Sequence, residues 1–225
     1  LVRSRGLGDV YKRQVFIMAR YLLLIQLLCV TASVHASGVL ILGDSISAAY
    51  GIEKSAGWVA RMDQQLQKRC PDYPVINASV SGETTAGGKT RLPALLSRHQ
   101  PDLVVIELGG NDGLRGLSPM AMASNLEQMV VLSRDAGAAA VLLGMRIPPN
   151  YGQQYTALFE QQFKDVAQST STPWVPFFLD GVIEQGWVQD DGIHPTVDAQ
   201  PLLLESALSV IEPQLPVQCQ AKSDE

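Results

Sequence analysis

The stretch Val39-Leu40-Ile41-Leu42-Gly43-Asp44-Ser45-Ile46-Ser47 decides the fold class of this chain. Four aliphatic residues in a row predict a buried strand, and Gly43 ends it. Asp44 and Ser45 follow at the carboxyl end of that strand, where open α/β sheets bind their ligands. Ser45 has two interpretations here, a nucleophile or the cap of the next element, and capping is the commoner use of serine. The rest of the chain must therefore supply a base and oxyanion donors.

Apolar runs of the same kind recur along the chain and alternate with helical patterns. Further strands are predicted at 75–78, 103–108, 139–145 and 174–178, with helices between and after them. An interruption is expected at Pro93 in the helix before Gln100, and Asp198 is expected to cap the last helix. Uninterrupted apolar strands that alternate with helices indicate a parallel sheet covered on both faces. We predict one α/β domain, a flavodoxin-like three-layer α/β/α sandwich with five parallel strands in the order 2-1-3-4-5.

The amino-terminal residues follow a different pattern. Arg20, the apolar run 21–30 and the small-residue site Val34-His35-Ala36 have the layout of a secretory signal peptide. The run is too short to span a bilayer comfortably, so a cleaved signal peptide is favoured over a membrane anchor. We expect residues 1–17 to be a leader that is not native sequence, 18–36 to be the signal peptide, and 37–225 to be a domain exported to the periplasm.

The charge of the exported part limits its partners. Removal of residues 1–36 takes away five of the 17 Lys and Arg but only one of the 22 acidic residues, which leaves a formal charge near −9. No run of basic residues remains. This balance argues against nucleic acid or anionic membrane surfaces as standing partners. We expect a monomer that acts on small molecules.

Two cysteines remain after cleavage, Cys70 and Cys219. In an exported protein such a pair is a plausible disulfide. In the predicted strand order the first and last helices lie side by side, and each cysteine follows the carboxyl end of one of them. Neither cysteine lies in a C-x-x-C pair or beside a histidine, so we expect no metal site and no cysteine nucleophile.

The predicted topology brings several polar loops to one edge of the sheet. Strands 1 and 3 end at Ser45 and Asn111, and strand 2 leads to Gly82 at the same rim. A base can come from either histidine of residues 37–225. His99 lies at a helix end, where histidine commonly bonds the terminal carbonyls. His194 lies in a loop after the last strand, on the same rim as Ser45, and is the better candidate.

Two carboxylates could orient His194. Asp191 stands three residues before it with a glycine between them, and Asp190 is adjacent, so spacing alone does not separate the two. The backbone N–H groups of Ser45 and Gly82 and the Asn111 amide could stabilise an oxyanion. The sequence contains no G-x-S-x-G, H-E-x-x-H or Walker motif, which excludes the common alternatives to such a site.

Four ordered blocks of this chain resemble the consensus blocks of the SGNH (GDSL) hydrolases, over about residues 38–215. The blocks are Gly43-Asp44-Ser45, Gly82, Gly110-Asn111-Asp112 and Asp191-Gly192-Ile193-His194-Pro195. The resemblance implies that Ser45 is the nucleophile and His194 the general base and acid. It also implies that Asp191, in preference to Asp190, orients His194, and that Ser45, Gly82 and Asn111 form the oxyanion hole. A mobile loop at 112–117 and acyl-chain contacts near 147–151 are implied in the same way.

The resemblance further implies a function. It predicts a periplasmic serine hydrolase that cleaves thioesters and esters of fatty acyl chains, lysophospholipids included, through an acyl-enzyme and without metal or cofactor. Two alternatives stay open. One is an arylesterase or carbohydrate deacetylase of the same superfamily that acts on short acyl groups. The other is a non-enzymatic protein that keeps the fold and binds a lipid or glycan.

Overall fold

The computed structural model describes residues 38–221, so the predicted leader and signal peptide, residues 1–36, lie outside the described part. Its strands form a single parallel sheet in the order β2-β1-β3-β4-β5. This confirms the predicted topology and strand order. The strands are β1 (Val39–Gly43), β2 (Val75–Asn77), β3 (Leu103–Glu107), β4 (Ala139–Leu143) and β5 (Trp174–Val175).

Helices connect the strands and cover both faces of the sheet. They are α1 (Trp58–Arg69), α2 (Thr85–His99), α3 (Gly110–Leu114), α4 (Pro119–Asp135), α5 (Gln153–Ser169) and α6 (Gln200–Ile211). The helices α1 and α6 pack against each other, while α4 packs between α2 and α5. The result is the predicted three-layer arrangement. Among the helices of residues 38–221, none combines the length and apolar character that a membrane crossing requires.

The hydrophobic core is centred on β1 and β3, which are buried along their whole length. Large side chains from the helices and loops complete it, as in the edge-to-face contact of Trp58 with Phe178, whose ring centroids are 5.4 Å apart. The Trp58 backbone N–H also donates to Gln200 Oε1 at 2.9 Å, which joins the starts of α1 and α6. The core therefore holds the carboxyl ends of β1 and β3 at fixed positions relative to each other.

The fifth strand is shorter than the predicted 174–178. Its regular pairing with β4 ends at Val175, because the N–H that next donates to Gly144 O is that of Phe178 and not that of Phe177, which leaves one extra residue in the strand. The Gly144 N–H donates to Val175 O, and the Phe178 N–H then donates to Gly144 O, each at 2.8 Å. Phe178 nevertheless remains fully buried. The apolar run predicted a core segment correctly but overestimated the length of the strand.

Two predictions about helix ends and interruptions are wrong. Helix α2 continues through Pro93, which lies on its exposed side while Leu92 and Leu96 are buried. Water can therefore bond the carbonyl that the proline leaves unpaired, and the buried side chains hold the helix together. Asp198 does not cap α6, whose N-cap is Ala199 without a side-chain bond.

A disulfide joins Cys70 to Cys219, as predicted from the packing of the first and last helices. Cys70 follows α1, and Cys219 lies in a short 3₁₀ turn after α6. The two cysteines are 149 residues apart in the sequence. The bond therefore ties the carboxyl-terminal part of the chain to the first half of the sheet.

Candidate active site

The structure places Ser45, His194 and Asp191 in one hydrogen-bonded chain. Ser45 Oγ lies 2.8 Å from His194 Nε2, and His194 Nδ1 lies 2.6 Å from Asp191 Oδ2. Ser45 is the second residue after β1, whereas the other two residues come from the loop before α6. Such an arrangement can move a proton from a serine hydroxyl to an imidazole that a carboxylate stabilises.

Asp191 is held as a charged group by the backbone of its own loop. Its Oδ1 accepts hydrogen bonds from the backbone N–H of His194 at 3.0 Å and of Ile193 at 2.9 Å. The backbone bond from His194, then the bond from the imidazole, then the bond from Ile193 lower the pKa of Asp191 to about 2. The carboxylate is therefore ionised at neutral pH, as an orienting acid must be.

The choice between the two adjacent aspartates is made by the turn at Gly192. This glycine has φ +68°, a left-handed conformation that favours glycine and folds the Asp191 side chain back onto the residues after it. Asp190 is exposed and makes no side-chain hydrogen bond within residues 38–221. The contact to His194 is therefore made by Asp191 alone.

The loop that carries His194 is bonded to the loop that follows β1. Val188 and Pro195 form an isolated antiparallel bridge, and Gln189 N–H donates to His194 O at 2.8 Å. The Gln189 side-chain amide donates to Tyr50 O at 2.9 Å. The Tyr50 ring packs against the imidazole, with ring centroids 4.5 Å apart. Sequence reasoning missed the contributions of Tyr50 and Gln189, because no local pattern links residues so distant in the chain.

The Asn111 side chain is fixed by Asp44, the residue before the serine. Asn111 Nδ2 donates to Asp44 Oδ2 at 2.9 Å, while Asp44 Oδ1 accepts from the Ile46 N–H at 3.0 Å. Burial raises the pKa of Asp44 to about 6, and its hydrogen bonds to Ile46 and Asn111 act in the opposite direction. One hydrogen of the Asn111 amide is thereby engaged, and the other remains available to a ligand.

Two backbone N–H groups at the same edge have no protein acceptor within residues 38–221, those of Ser45 and Gly82. Gly82 adopts φ +79°, and its carbonyl oxygen accepts from Arg115 Nη2 at 2.8 Å. The loop before it is attached to the end of β1 by the bond from the Val80 N–H to Gly43 O, 3.0 Å long. No hydrogen bond within the described part joins Gly82 directly to Ser45 or Asn111. These donors face solvent or a ligand and could bind an oxyanion.

The segments expected to form a mobile loop and the acyl-chain contacts are joined to each other. Asp112 begins the loop segment as a buried residue whose carboxylate accepts from the Thr85 N–H and hydroxyl. Tyr151 Oη donates to Leu114 O at 2.8 Å, and Tyr155 Oη donates to Leu117 O at 2.7 Å. The side chains of Leu117 and Tyr151 remain exposed. The two segments thus form one surface with apolar groups open to solvent.

Glu107 is a further residue that sequence reasoning missed. It is the last residue of β3 and is completely buried. Its Oε2 accepts hydrogen bonds from both sides of Ser45 in the sequence, from Asp44 and from Ser47. The available signal was an acidic residue that ends an otherwise aliphatic strand next to the Asn111 loop.

Comparisons with known proteins show which family this chain resembles. The model of the GDSL-like Lipase/Acylhydrolase family matches residues 41–200. The chain is 49% identical to esterase TesA of Pseudomonas aeruginosa over 192 residues, which are 85% of this chain and 96% of the relative. It is 44% identical to an arylesterase of Vibrio mimicus, over 84% of this chain and 95% of the relative. It is 42% identical to thioesterase 1/protease 1/lysophospholipase L1 of Escherichia coli K12, over 79% of this chain and 85% of the relative.

Solved structures show the same likeness. The crystal structure of TesA superposes with a TM-score of 0.75 at 50% identity and covers 80% of this chain and 99% of its own. The esterase EstA from Pseudoalteromonas sp., inhibited by monoethylphosphonate, superposes with a TM-score of 0.74 at 38% identity, over 79% and 97%. Both likenesses extend over almost the whole of the described domain.

Proposed function

Because the chain belongs to the GDSL-like Lipase/Acylhydrolase family, we propose that it hydrolyses acyl esters and thioesters through Ser45, His194 and Asp191. The chain is a hydrolase that acts on ester bonds, as its family and its esterase relatives show. The observation that carries the proposal is the hydrogen-bonded chain from Ser45 Oγ through the imidazole to Asp191, with lengths of 2.8 and 2.6 Å.

In the first half of the proposed reaction, Ser45 Oγ attacks the carbonyl carbon of the substrate. His194 Nε2 accepts the hydroxyl proton, and the Asp191 carboxylate stabilises the imidazolium that forms. The carbonyl oxygen becomes an oxyanion, for which the N–H groups of Ser45 and Gly82 and the amide of Asn111 are the proposed donors. Collapse of the tetrahedral intermediate transfers the proton to the departing alcohol or thiol and leaves an acyl-enzyme.

The second half repeats these steps with water. His194 removes a proton from the water, which attacks the acyl carbonyl, and the same donors stabilise the second oxyanion. Return of the proton to Ser45 Oγ releases the carboxylic acid. Every proton in this cycle is carried by His194, so the residues named above and one water molecule suffice for the proposed reaction.

We propose fatty acyl thioesters and esters, lysophospholipids included, as the substrate class. The relative from Escherichia coli is named for thioesterase and lysophospholipase activities. The exposed apolar side chains of Leu117 and Tyr151 suit contacts with an acyl chain. The arylesterase from Vibrio mimicus favours a second candidate, hydrolysis of short-chain aryl esters. Comparison of kcat/KM for acetyl, decanoyl and palmitoyl p-nitrophenyl esters separates the two, since only the first candidate predicts a preference for the longer chains.

The proposal is tested by Ser45→Ala. We expect kcat for p-nitrophenyl esters to fall by at least about 10³-fold, with an unchanged fold by circular dichroism. A fluorophosphonate should label the parent protein at Ser45 and should not label the variant. The control is Ser209→Ala, which removes an exposed serine hydroxyl on α6 that bonds only its own helix. Persistence of turnover in Ser45→Ala would exclude Ser45 as the nucleophile, whereas absence of both turnover and labelling in the parent would leave a non-enzymatic binding protein.

We further propose export to the periplasm, with residues 37–225 as the mature protein. The pattern of residues 18–36 supports a cleaved signal peptide. The Cys70–Cys219 disulfide supports an oxidising compartment. The mass of the protein from a periplasmic extract tests this directly, because it should correspond to a chain that begins at Ser37 and lacks two thiol hydrogens.

A further inference from the structure

Glu107 is an acidic residue in the core of the protein, where burial of a charged carboxylate costs free energy. It ends β3 with no exposed surface, and burial, followed by the nearby Asp44 carboxyl, raises its pKa well above the usual range. Its hydrogen bonds to Ser47 and Asp44 oppose that shift without cancelling it. At this position burial therefore favours the neutral carboxylic acid over the carboxylate, because the neutral form avoids the cost of burying a charge.

The contacts of Glu107 enclose the turn that carries the serine. Its Oε2 accepts from the Asp44 N–H at 3.2 Å, from the Ser47 N–H at 3.2 Å and from the Ser47 hydroxyl at 2.6 Å. Ser45 lies between these two anchored residues. Gly43 leaves the space for this approach, because a Cβ there would lie 2.7 Å from Glu107 Oε2 and 2.7 Å from Ser47 Cβ.

The anchored turn in turn orients the other groups of the site. Asp44, whose N–H is held by Glu107, fixes the Asn111 amide through its Oδ2. Ser47, held through both its N–H and its hydroxyl, accepts from Asn77 Nδ2 through its carbonyl oxygen at 2.8 Å. A displacement of Glu107 would therefore be transmitted to Ser45 Oγ and to the Asn111 amide together.

We propose that Glu107 is a positioning residue of the hydrolase reaction: it holds Asp44 and Ser47 so that Ser45 Oγ faces His194 and the Asn111 amide faces the oxyanion. The inference rests on the function proposed above. Glu107 has no contact with substrate and transfers no proton. Its effect should therefore appear in kcat, which depends on the geometry of the transition state, and much less in KM.

The experiment compares Glu107→Ala and Glu107→Gln. Alanine removes the acceptor, and we expect kcat to fall by about 10²-fold with KM little changed, the usual consequence of a displaced catalytic group. Glutamine keeps a neutral acceptor of the same shape and should restore most of kcat. Turnover is expressed per site that a fluorophosphonate titrates, so that loss of folded protein does not count as loss of catalysis.

The matched control is Val105→Ala. Val105 is also fully buried on β3, and in a strand it shares its face with Glu107. This variant should lower Tm through the cavity it leaves, with kcat unchanged. If Glu107→Ala yields too little folded protein, Ser47→Ala replaces it. That variant removes only the 2.6 Å bond, and we expect kcat to fall by about fivefold to tenfold.

Three results would overturn the proposal. The first is parent-like kcat in Glu107→Ala or, where that variant does not fold, in Ser47→Ala. The second is a loss in Glu107→Gln as large as that in Glu107→Ala. The third is a fall in kcat in Val105→Ala, because that variant only lowers Tm and a fall in kcat there would show that loss of stability alone reduces catalysis. Each of these differs from failure of the proposed function, which is reported separately by turnover in Ser45→Ala.

Discussion

Replacement of Asp191 by asparagine should reduce activity more than its replacement by alanine. Asp191 Oδ1 accepts two backbone N–H groups, from Ile193 and His194, whereas Oδ2 faces His194 Nδ1 at 2.6 Å. An asparagine must keep its oxygen toward the two N–H donors, which places its NH₂ group against Nδ1. The imidazole then accepts at Nδ1 and carries its proton on Nε2, where it cannot accept the proton of Ser45.

The size of the effect follows from that tautomer. An imidazole held in the wrong tautomer costs about 10⁴-fold in kcat, or about 5.5 kcal/mol of transition-state stabilisation. Alanine removes the orienting charge but leaves both tautomers accessible, so a smaller loss of kcat than in Asp191→Asn is expected. Asp191 is on the surface, where water can replace its bonds to the backbone. The Tm should therefore change little in either variant.

The assay is the steady-state hydrolysis of p-nitrophenyl esters by Asp191→Asn, Asp191→Ala and the control Asp190→Asn. The control removes the same charge one residue away, from a side chain without hydrogen bonds in the described part, and should keep the parent kcat. A smaller loss in the asparagine variant than in the alanine variant would refute the tautomer argument. A loss in Asp190→Asn as large as in Asp191→Asn would refute the assignment of the orienting acid.

Two further predictions concern stability. Joint replacement of Cys70 and Cys219 by serine should lower the free energy of unfolding by about 2–5 kcal/mol, because the bond closes a loop with a sequence separation of 149. Urea denaturation measures the change, and kcat should be unaffected, since Cys70 precedes the start of β2 and the disulfide therefore lies at the amino-terminal ends of the strands, away from Ser45. Burial raises the pKa of Asp44 to about 6, so the folded protein binds more protons than the unfolded chain between about pH 4 and 6. The free energy of unfolding should therefore fall as pH rises through this window in the parent, and it should fall less in Asp44→Asn. Equal slopes of the free energy of unfolding against pH in the two proteins would contradict the raised pKa of Asp44.

Most of the fold could be predicted because its signals are local. Leu103 to Glu107 and the other main strands are aliphatic runs closed by Gly, Pro or Asp, and the helices between them keep a helical period. The prediction failed in two places where other contacts outweighed the local signal. Pro93 is tolerated because α2 is held by buried leucines, and α6 begins without the Asp198 cap at a turn in which the Gln200 N–H donates to Val197 O.

The residues around the site could not be found in this way. Glu107 meets Asp44 across 63 residues of sequence, and Gln189 meets Tyr50 across 139. No periodicity or spacing relates such pairs, because they are brought together only when the sheet has formed and the loops have closed over its edge. The burial that raises the pKa values of Glu107 and Asp44 is likewise a property of the folded core.

The sequence by itself determined the class of fold, the order of the strands and the position of Ser45 at the end of β1. These follow from hydrophobic pattern and from where glycine ends a strand, which are properties of short stretches of chain. Only the tertiary structure decided that one oxygen of Asp191 bonds the backbone while the other bonds the His194 ring. It also decided that Glu107 bonds the turn around Ser45. Those features depend on distances between separate loops, which are set when β1 and β3 pack side by side in the core.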